Sequence, residues 1–187
     1  MQNSINAAVE ILRKGGIILY PTDTVWGVGC DARNKEAVAK IYELKRSVDK
    51  KSMIVLCGDL DMAVRYVQRP PHIAFEVMEL ATKPTTVIMP RGVGVAENLL
   101  PEEGSLAIRV PDHEFCKALI KRLGAPIVST SANISGEATP KRLNEVDPEI
   151  VNGVDMVIHP RFEGKPTRQP SSIISFGLDG SFKILRD

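Results

Sequence analysis

Two loops of this chain are rich in side chains that can bind a polar or anionic ligand. The first reads P-T-D-T-V-W-G at residues 21–27, and the second reads S-T-S-A-N-I-S-G at residues 129–136. Each follows a short apolar run typical of a buried strand, at 17–19 and 126–128. Hydroxyls, an amide and backbone N–H groups can all donate to an anion, so the second loop is a candidate phosphate or nucleotide site. The first loop fits a ligand site and a capped polar turn about equally well.

Cations occur at two further places that suit an anionic ligand. The segment 45–51 reads K-R-S-V-D-K-K at the end of a predicted helix, where cations complement the helix dipole. A solvated face would normally intersperse acids among the bases, so this segment is also a candidate phosphate or RNA contact. Arg109 interrupts the apolar run A-I-R-V just before Pro111. It either points to solvent by strand alternation or lies at a strand end, where ligand groups collect.

The composition excludes several classes of protein. A chain of 187 residues with 43% hydrophobic and 25% charged residues predicts one globular domain spanning residues 1–187. No apolar run is long enough to span a bilayer and no secretory signal is visible, which predicts a cytoplasmic protein without membrane contact. Cys30, Cys57 and Cys116 are far apart and the histidines are scattered, so we expect reduced core thiols and no metal-binding residues. The net charge of +1 does not by itself indicate nucleic-acid binding.

The hydrophobic pattern predicts strands alternating with amphipathic helices, followed by a terminal β-hairpin. This order favours an α/β fold with an open, twisted mixed sheet and flanking helices. Asn34 and Asp112 are the predicted N-caps of two helices, and Gly15 is placed where a C-terminal glycine belongs. Neither a Walker loop nor a G-x-G-x-x-G sequence after a strand is present, so a nucleotide site here would be nonstandard.

Taken together, these segments resemble the YrdC/TsaC family over nearly the whole chain and in the family's order. The matching segments are residues 21–27, Lys45 with Arg46, 84–86, 107–111, 129–136 and 170–173. Members of that family make L-threonylcarbamoyladenylate from L-threonine, bicarbonate and ATP and release pyrophosphate, for threonylcarbamoyl-adenosine modification of tRNA. The resemblance therefore implies a nucleotidyltransferase with a YrdC-like open sheet and a large concave, positively charged cavity. It also implies tRNA or double-stranded RNA as a partner, and transfer of the product to separate tRNA threonylcarbamoyl transferase proteins.

The same resemblance implies two groups of binding residues. The residues that would contact threonine are Thr22, Thr24, Arg109 and Ser172, with Arg109 pairing with the carboxylate. The residues that would contact ATP are Lys45, Ser129, Ser131, Asn133 and Arg168. Lys45 and Arg46 would be the catalytic cations, assisted by Mg²⁺. Replacing Lys45 or Asn133 by alanine is then expected to weaken nucleotide binding with little effect on thermal stability.

The sequence departs from the family pattern in the basic segment. The arginine expected two positions after Lys45 is Ser47, and Arg46 is displaced by one. Trp26 also replaces a tyrosine, which keeps the apolar ring and loses the hydroxyl. The altered basic segment resembles the YciO branch, and it motivates the alternative of an RNA-binding or ribosome-maturation protein without synthase activity. In that alternative Lys50 and Lys51 would contact RNA.

Overall fold

The computed structural model describes residues 1–47 and 53–187. The helices in these ranges are α1 (Gln2–Arg13), α2 (Lys35–Leu44), α3 (Leu60–Val64), α4 (His72–Leu80), α5 (Glu114–Leu123) and α6 (Pro148–Gly153). The strands are β1 (Ile18–Tyr20), β2 (Gly27–Gly29), β3 (Ile54–Leu56), β4 (Thr85–Met89), β5 (Leu106–Arg109), β6 (Ile127–Ser131), β7 (Met156–Val157), β8 (Ser172–Phe176) and β9 (Phe182–Arg186). No helix within the described ranges has the length and apolar character needed to cross a membrane.

The strands of the described ranges form one mixed sheet in the order β7-β1-β2-β6-β3-β5-β4-β8-β9. Three of the strand pairs are parallel, namely β1 with β7, β3 with β5 and β4 with β8. The remaining neighbours are antiparallel, including the terminal β8–β9 hairpin. This architecture confirms the predicted α/β class with an open mixed sheet, flanking helices and a terminal hairpin.

The two faces of the sheet differ because side chains alternate along each strand. Val55, Ile108 and Val128 are fully buried in the same hydrophobic cluster as the apolar residues of α1 and α5. Residues one position away, such as Ile54 and Ser129, line a cavity instead and are paired with each other across β3 and β6. One face is therefore the packed core, and the other is free to hold a ligand.

The predicted helix ends are partly confirmed. Gly15 adopts the left-handed conformation just after α1, and the Asn34 side chain accepts a hydrogen bond from the Ala37 amide at 2.9 Å. The predicted cap at Asp112 is wrong, because α5 begins one residue later and the ring Nδ1 of His113 accepts from the Cys116 amide. The Asp112 carboxylate is exposed and pairs with Lys117.

Replacing Gly29 by alanine is predicted to destabilise the sheet. A Cβ atom there would lie 2.2 Å from the carbonyl oxygen of Val128 and 2.7 Å from a ring carbon of Tyr20. Neither neighbour can move without disturbing β6 or the core, so we expect a loss of about 2 kcal/mol or more in the free energy of unfolding. Urea unfolding measures it. The control is Gly58→Ala, whose Cβ would make an ordinary 3.4 Å contact with Ile120; equal stability of the two variants would contradict the prediction.

Candidate active site

A cavity of about 280 Å³ lies on the open face of the sheet. Its polar lining includes Thr22, Thr24, Arg109, Ser129, Ser131 and Arg186. Its apolar lining includes Ile54, Ile88 and Ile173, from three neighbouring regions of the sheet. We call this space the hydroxyl cavity. It brings together the two polar loops and the strand-end arginine that the sequence singled out.

The threonine loop between β1 and β2 is held in one conformation by its own hydroxyls. Thr22 Oγ1 donates to the Val25 carbonyl at 2.7 Å and accepts from the Thr24 amide at 3.1 Å. The hydroxyls of Thr22 and Thr24 are also 2.9 Å apart. From outside, the amides of Thr167 and Arg168 donate to the carbonyls of Asp23 and Thr24. The two hydroxyls are thus preorganised at the cavity wall, as a binding site requires.

Arg109 lies inside the protein and does not point to solvent. Its side chain is 4% exposed, and Nη1 donates to Thr24 Oγ1 at 3.0 Å. The same nitrogen is 3.0 Å from Asp23 Oδ1, which forms a buried ion pair. Nε is buried and has no hydrogen-bond partner among the described residues. A buried guanidinium with one donor unused is suited to bind a carboxylate or phosphate.

Arg186 is a second cation of the cavity that the sequence reasoning missed. Its Nε donates to the Ser171 carbonyl at 2.7 Å, which turns the side chain toward the cavity. Burial lowers the pKa of Arg186, and the charge of Arg109 lowers it further. The signal was present, because Arg186 follows an apolar run at a strand end just as Arg109 does. Two guanidiniums that repel one another mark a place where an anion is stabilised.

Lys45 lies beneath the loop at residues 129–136. Its side chain is buried, and Nζ donates to the carbonyls of Ser131 at 2.5 Å and Asn133 at 2.6 Å. Burial lowers the pKa of Lys45 to about 8. The Ser135 amide donates back to the Lys45 carbonyl at 2.8 Å. Lys45 therefore supports the loop that carries the predicted nucleotide contacts, which revises the expectation that its removal would leave stability unchanged.

Asn133 is also held by the backbone of this loop. Its Nδ2 donates to the carbonyls of Ile134 at 2.9 Å and Glu137 at 3.1 Å. Its Oδ1 is buried and has no hydrogen-bond partner in the described part of the chain. Such an acceptor costs free energy when it stays unpaired. Asn133 is not part of the lining of the hydroxyl cavity, so the structure does not bring this predicted residue together with Ser129 and Ser131 at the cavity wall.

Lys45, Arg46 and Arg168 are all absent from the cavity lining, although the sequence placed them in the site. Arg46 has a positive φ of 50° and pairs with Glu149 of α6 at 2.6 Å. Ser47, at the position of the family arginine, has its hydroxyl 2.6 Å from that of Ser135. The side chain of Arg168 is exposed, and its contact with the threonine loop is through the backbone. Lys50 and Lys51 lie outside the described residues.

Ser172 and its neighbour differ in which way they face. Ser172 is paired with Thr85 in the sheet and is not part of the cavity lining. Ser171 lines the cavity instead, and its hydroxyl is 2.7 Å from that of Thr86. Because alternate residues of a strand point to opposite faces, the serine placed in the cavity is the one before the predicted residue.

These features define a class of α/β proteins in which a hydroxyl-rich cavity lies on one face of a mixed sheet and is lined by two arginines, the buried Arg109 and the exposed Arg186. The Sua5/YciO/YrdC family model, described as telomere recombination, matches residues 10–187. The threonylcarbamoyl-AMP synthase of Idiomarina loihiensis is 36% identical over 160 residues, which are 83% of this chain and 86% of the relative. The chain belongs to the Sua5/YciO/YrdC family, which confirms the predicted resemblance.

Solved structures agree with this assignment. E. coli YciO superposes with a TM-score of 0.85 at 31% identity, over 100% of this chain and 90% of that protein. P. abyssi Sua5 complexed with L-threonine superposes with a TM-score of 0.84 at 25% identity, over 97% of this chain. The match spans about half of that longer protein, namely 53% of its length.

Replacing Lys45 by methionine is predicted to change the pH dependence of stability. Because burial lowers the pKa of Lys45 from 10.5 to about 8, the unfolded chain binds more protons than the folded one between those two values. The wild-type protein should therefore gain stability relative to Lys45→Met as the pH rises through this window, by at most about 1.4 kcal/mol per pH unit. Urea unfolding of both proteins between about pH 7.5 and pH 10.5 measures the difference. This range covers the pKa of Lys45 in the folded chain, about 8, and in the unfolded chain, 10.5.

Comparing the two proteins cancels the opposing titration of the buried cysteines, whose thiol pKa values are raised by burial. Lys40→Met is a matched control, because Lys40 also donates to a backbone carbonyl, that of Gly15 at 2.9 Å, but is less buried. If the difference in free energy of unfolding between wild type and Lys45→Met does not change with pH, the pKa of Lys45 is not lowered in the folded protein and the prediction is wrong.

Proposed function

We propose that this chain is an L-threonylcarbamoyladenylate synthase, which joins L-threonine, bicarbonate and ATP to form threonylcarbamoyl-AMP and pyrophosphate. The observation that carries the proposal is the unpaired Nε of the buried Arg109, held next to Thr24 in a cavity that also contains Arg186. The names of the curated relatives and the binding of L-threonine by P. abyssi Sua5 support the same reading.

The amino acid would bind at the Arg109 end of the cavity. The guanidinium would receive the carboxylate, and the hydroxyls of Thr22 and Thr24 would contact the polar groups of threonine. Both hydroxyls are already fixed by the hydrogen bonds of the loop, so little conformational entropy is lost on binding. Ser171, which faces the cavity, takes the place that the sequence assigned to Ser172.

The nucleotide would bind along the loop at residues 129–136. Ser129 and Ser131 line the cavity there. Asn133, whose buried Oδ1 is unpaired, lies outside the lining and would contact the nucleotide only if the loop moved. Arg186 supplies a cation for a phosphate, while Lys45 holds the loop from below. The proposed roles of Arg46 and Arg168 as phosphate contacts require their side chains to leave the positions described above.

The reaction needs no covalent intermediate with the protein. The amino group of threonine and bicarbonate combine to a carbamate with loss of one water molecule. A carbamate oxygen then attacks the α-phosphorus of ATP while pyrophosphate leaves. The protein's contribution is then positioning and neutralisation of charge by guanidinium and hydroxyl donors. The three cysteines are buried and their thiol pKa values are raised, which removes them as nucleophiles near neutral pH.

Mg²⁺ would enter with ATP and not as an ion held by the protein. The described residues contain no group of three or more His, Cys, Asp or Glu side chains that could hold a metal. The cavity lining contributes hydroxyls and arginines but no carboxylate among the described residues. Mg²⁺ is commonly bound by substrate phosphates and water, so we treat MgATP as the substrate.

The wider biological setting is part of the same proposal. The labile product would pass to a tRNA threonylcarbamoyl transferase in the cytoplasm, and tRNA or double-stranded RNA would be a further partner. These partners are the ones that the family resemblance implies.

A second function is an RNA-binding or ribosome-maturation role without synthesis of the adenylate. Ser47 in the arginine position and the pairing of Arg46 with Glu149 both reduce the positive charge available to a triphosphate. The full-length superposition on E. coli YciO is consistent with it. This alternative predicts RNA binding that weakens with salt, together with no pyrophosphate formation from threonine.

The proposed synthase is tested by its substrate dependence. We expect pyrophosphate release from MgATP that requires both threonine and bicarbonate, because the carbamate must form before the α-phosphorus is attacked. Coupled pyrophosphate detection measures the rate, and mass spectrometry identifies threonylcarbamoyl-AMP. Valine is the control amino acid, since it has the shape of threonine without the hydroxyl. Absence of threonine-dependent pyrophosphate would overturn the proposal and favour the RNA-binding alternative.

Arg186→Met is predicted to weaken ATP binding by about tenfold or more, because a charge-assisted hydrogen bond contributes roughly 1.5–3 kcal/mol. Lys183→Met is the matched control, since Lys183 is an exposed cation on the same strand and is not part of the cavity lining. Calorimetric titration with a nonhydrolysable ATP analogue measures both affinities. Equal losses in the two variants would mean that Arg186 contributes only general positive charge.

A further inference from the structure

Asp23 lies behind the cavity wall and does not line the hydroxyl cavity. Its neighbours Thr22 and Thr24 face the cavity, whereas the carboxylate of Asp23 faces the opposite side of the loop, next to Asp112 and Lys165. The side chain is 8% exposed, which is unusual for an aspartate. Its position therefore needs an explanation other than direct contact with a ligand in the cavity.

The carboxylate fixes one side of the Arg109 guanidinium. Asp23 Oδ1 forms an ion pair with Arg109 Nη1 at 3.0 Å without the geometry of a hydrogen bond, and Oδ2 accepts from the Asp112 amide at 3.3 Å. Thr24 Oγ1 accepts from the same Nη1 at 3.0 Å. These two contacts hold the guanidinium by Nη1 and leave Nε, on its other side, without a partner. The Nε side of the guanidinium is therefore the one left to bind a carboxylate through two parallel hydrogen bonds.

Asp23 also balances charge that would otherwise displace Arg109. Arg109 and Arg186 share the cavity, and the charge of Arg109 lowers the pKa of Arg186. Two like charges in a partly desolvated space repel each other, and a buried cation without a partner is strongly unfavourable. A fixed anion behind Arg109 offsets both effects and keeps the guanidinium oriented before a ligand arrives.

We propose that Asp23 is a positioning residue that acts through Arg109 to prepare the carboxylate-binding site for the amino-acid substrate. This inference rests on the proposed function, because it assigns the free side of Arg109 to the carboxylate of threonine. Asp23 does not touch the substrate. Its effect is to preorganise Arg109, so it governs amino-acid affinity while the nucleotide end of the cavity is independent of it.

The test is a double-mutant cycle with the variants Asp23→Asn, Arg109→Met and the combination of both. Calorimetry measures the dissociation constants for threonine and for a nonhydrolysable ATP analogue. We expect Asp23→Asn to weaken threonine binding by about tenfold, with ATP affinity changed by less than about twofold. In the Arg109→Met background the same substitution should have no further effect on threonine, because there is no guanidinium left to position.

Two further proteins complete the experiment. Asp112→Asn is the control, because its carboxylate is fully exposed and only its backbone amide contacts Asp23. Asp23→Ala removes the charge and also the Oδ2 acceptor of the Asp112 amide, and it should weaken threonine binding more than Asp23→Asn does. A general loss of folding would not give this order of threonine affinities. If Asp23→Ala fails to fold, Asp23→Asn still tests the inference.

The outcomes separate the inference from the proposed function. Unchanged threonine affinity in Asp23→Asn and Asp23→Ala would overturn the inference and leave the synthase proposal standing. Equal losses for threonine and ATP, or a full additional loss in the Arg109→Met background, would also overturn it. If the wild-type protein binds ATP but no threonine, the proposed function fails first, and the inference fails with it.

Discussion

Burial of the Arg109 guanidinium is the constraint on which the cavity depends. A cation inside a protein must be paired, and the partners come from the loop between β1 and β2, which β6 and β3 separate from β5 in the sheet. The loop must therefore cross the open face of the sheet to reach Arg109. The backbone contacts from Thr167 and Arg168 then hold it in place from outside. The same loop therefore pairs the charge of Arg109 and forms one wall of the hydroxyl cavity.

The elements of the fold could be predicted from the sequence, whereas their arrangement could not. The apolar stripe of α1 and the strand at residues 85–89 follow directly from periodicity. The order of strands depends on contacts far apart in the chain, such as Ile54 with Ser129, which leave no local pattern. The cap of α5 was misplaced because Asp112 is the stronger capping residue by type, while the helix starts where His113 can reach the Cys116 amide.

The candidate site was predictable where side chains carry the chemistry and unpredictable where the backbone does. Hydroxyls that follow buried strands identified Thr22, Thr24, Ser129 and Ser131, and all four line the cavity. The partners of Lys45 are carbonyl oxygens, which every residue has, so no sequence pattern could indicate them. Ser171 and Ser172 differ only in strand alternation, and choosing between them needs a register that the pairing with β4 fixes.

The distribution of charge explains how this chain can depart from its family in the basic segment and keep an electropositive cavity. Arg109 and Arg186 are anchored at strand ends, so their charge does not depend on the helix end at Lys45. Burial lowers the pKa of Lys45 to about 8, which narrows the margin by which its charged form is favoured near neutral pH. An anion bound beside the loop at residues 129–136 would stabilise the ammonium form and strengthen its bonds to the Ser131 and Asn133 carbonyls. In the proposed synthase, nucleotide binding would therefore be coupled to ordering of that loop through Lys45, even though Ser47 contributes no charge.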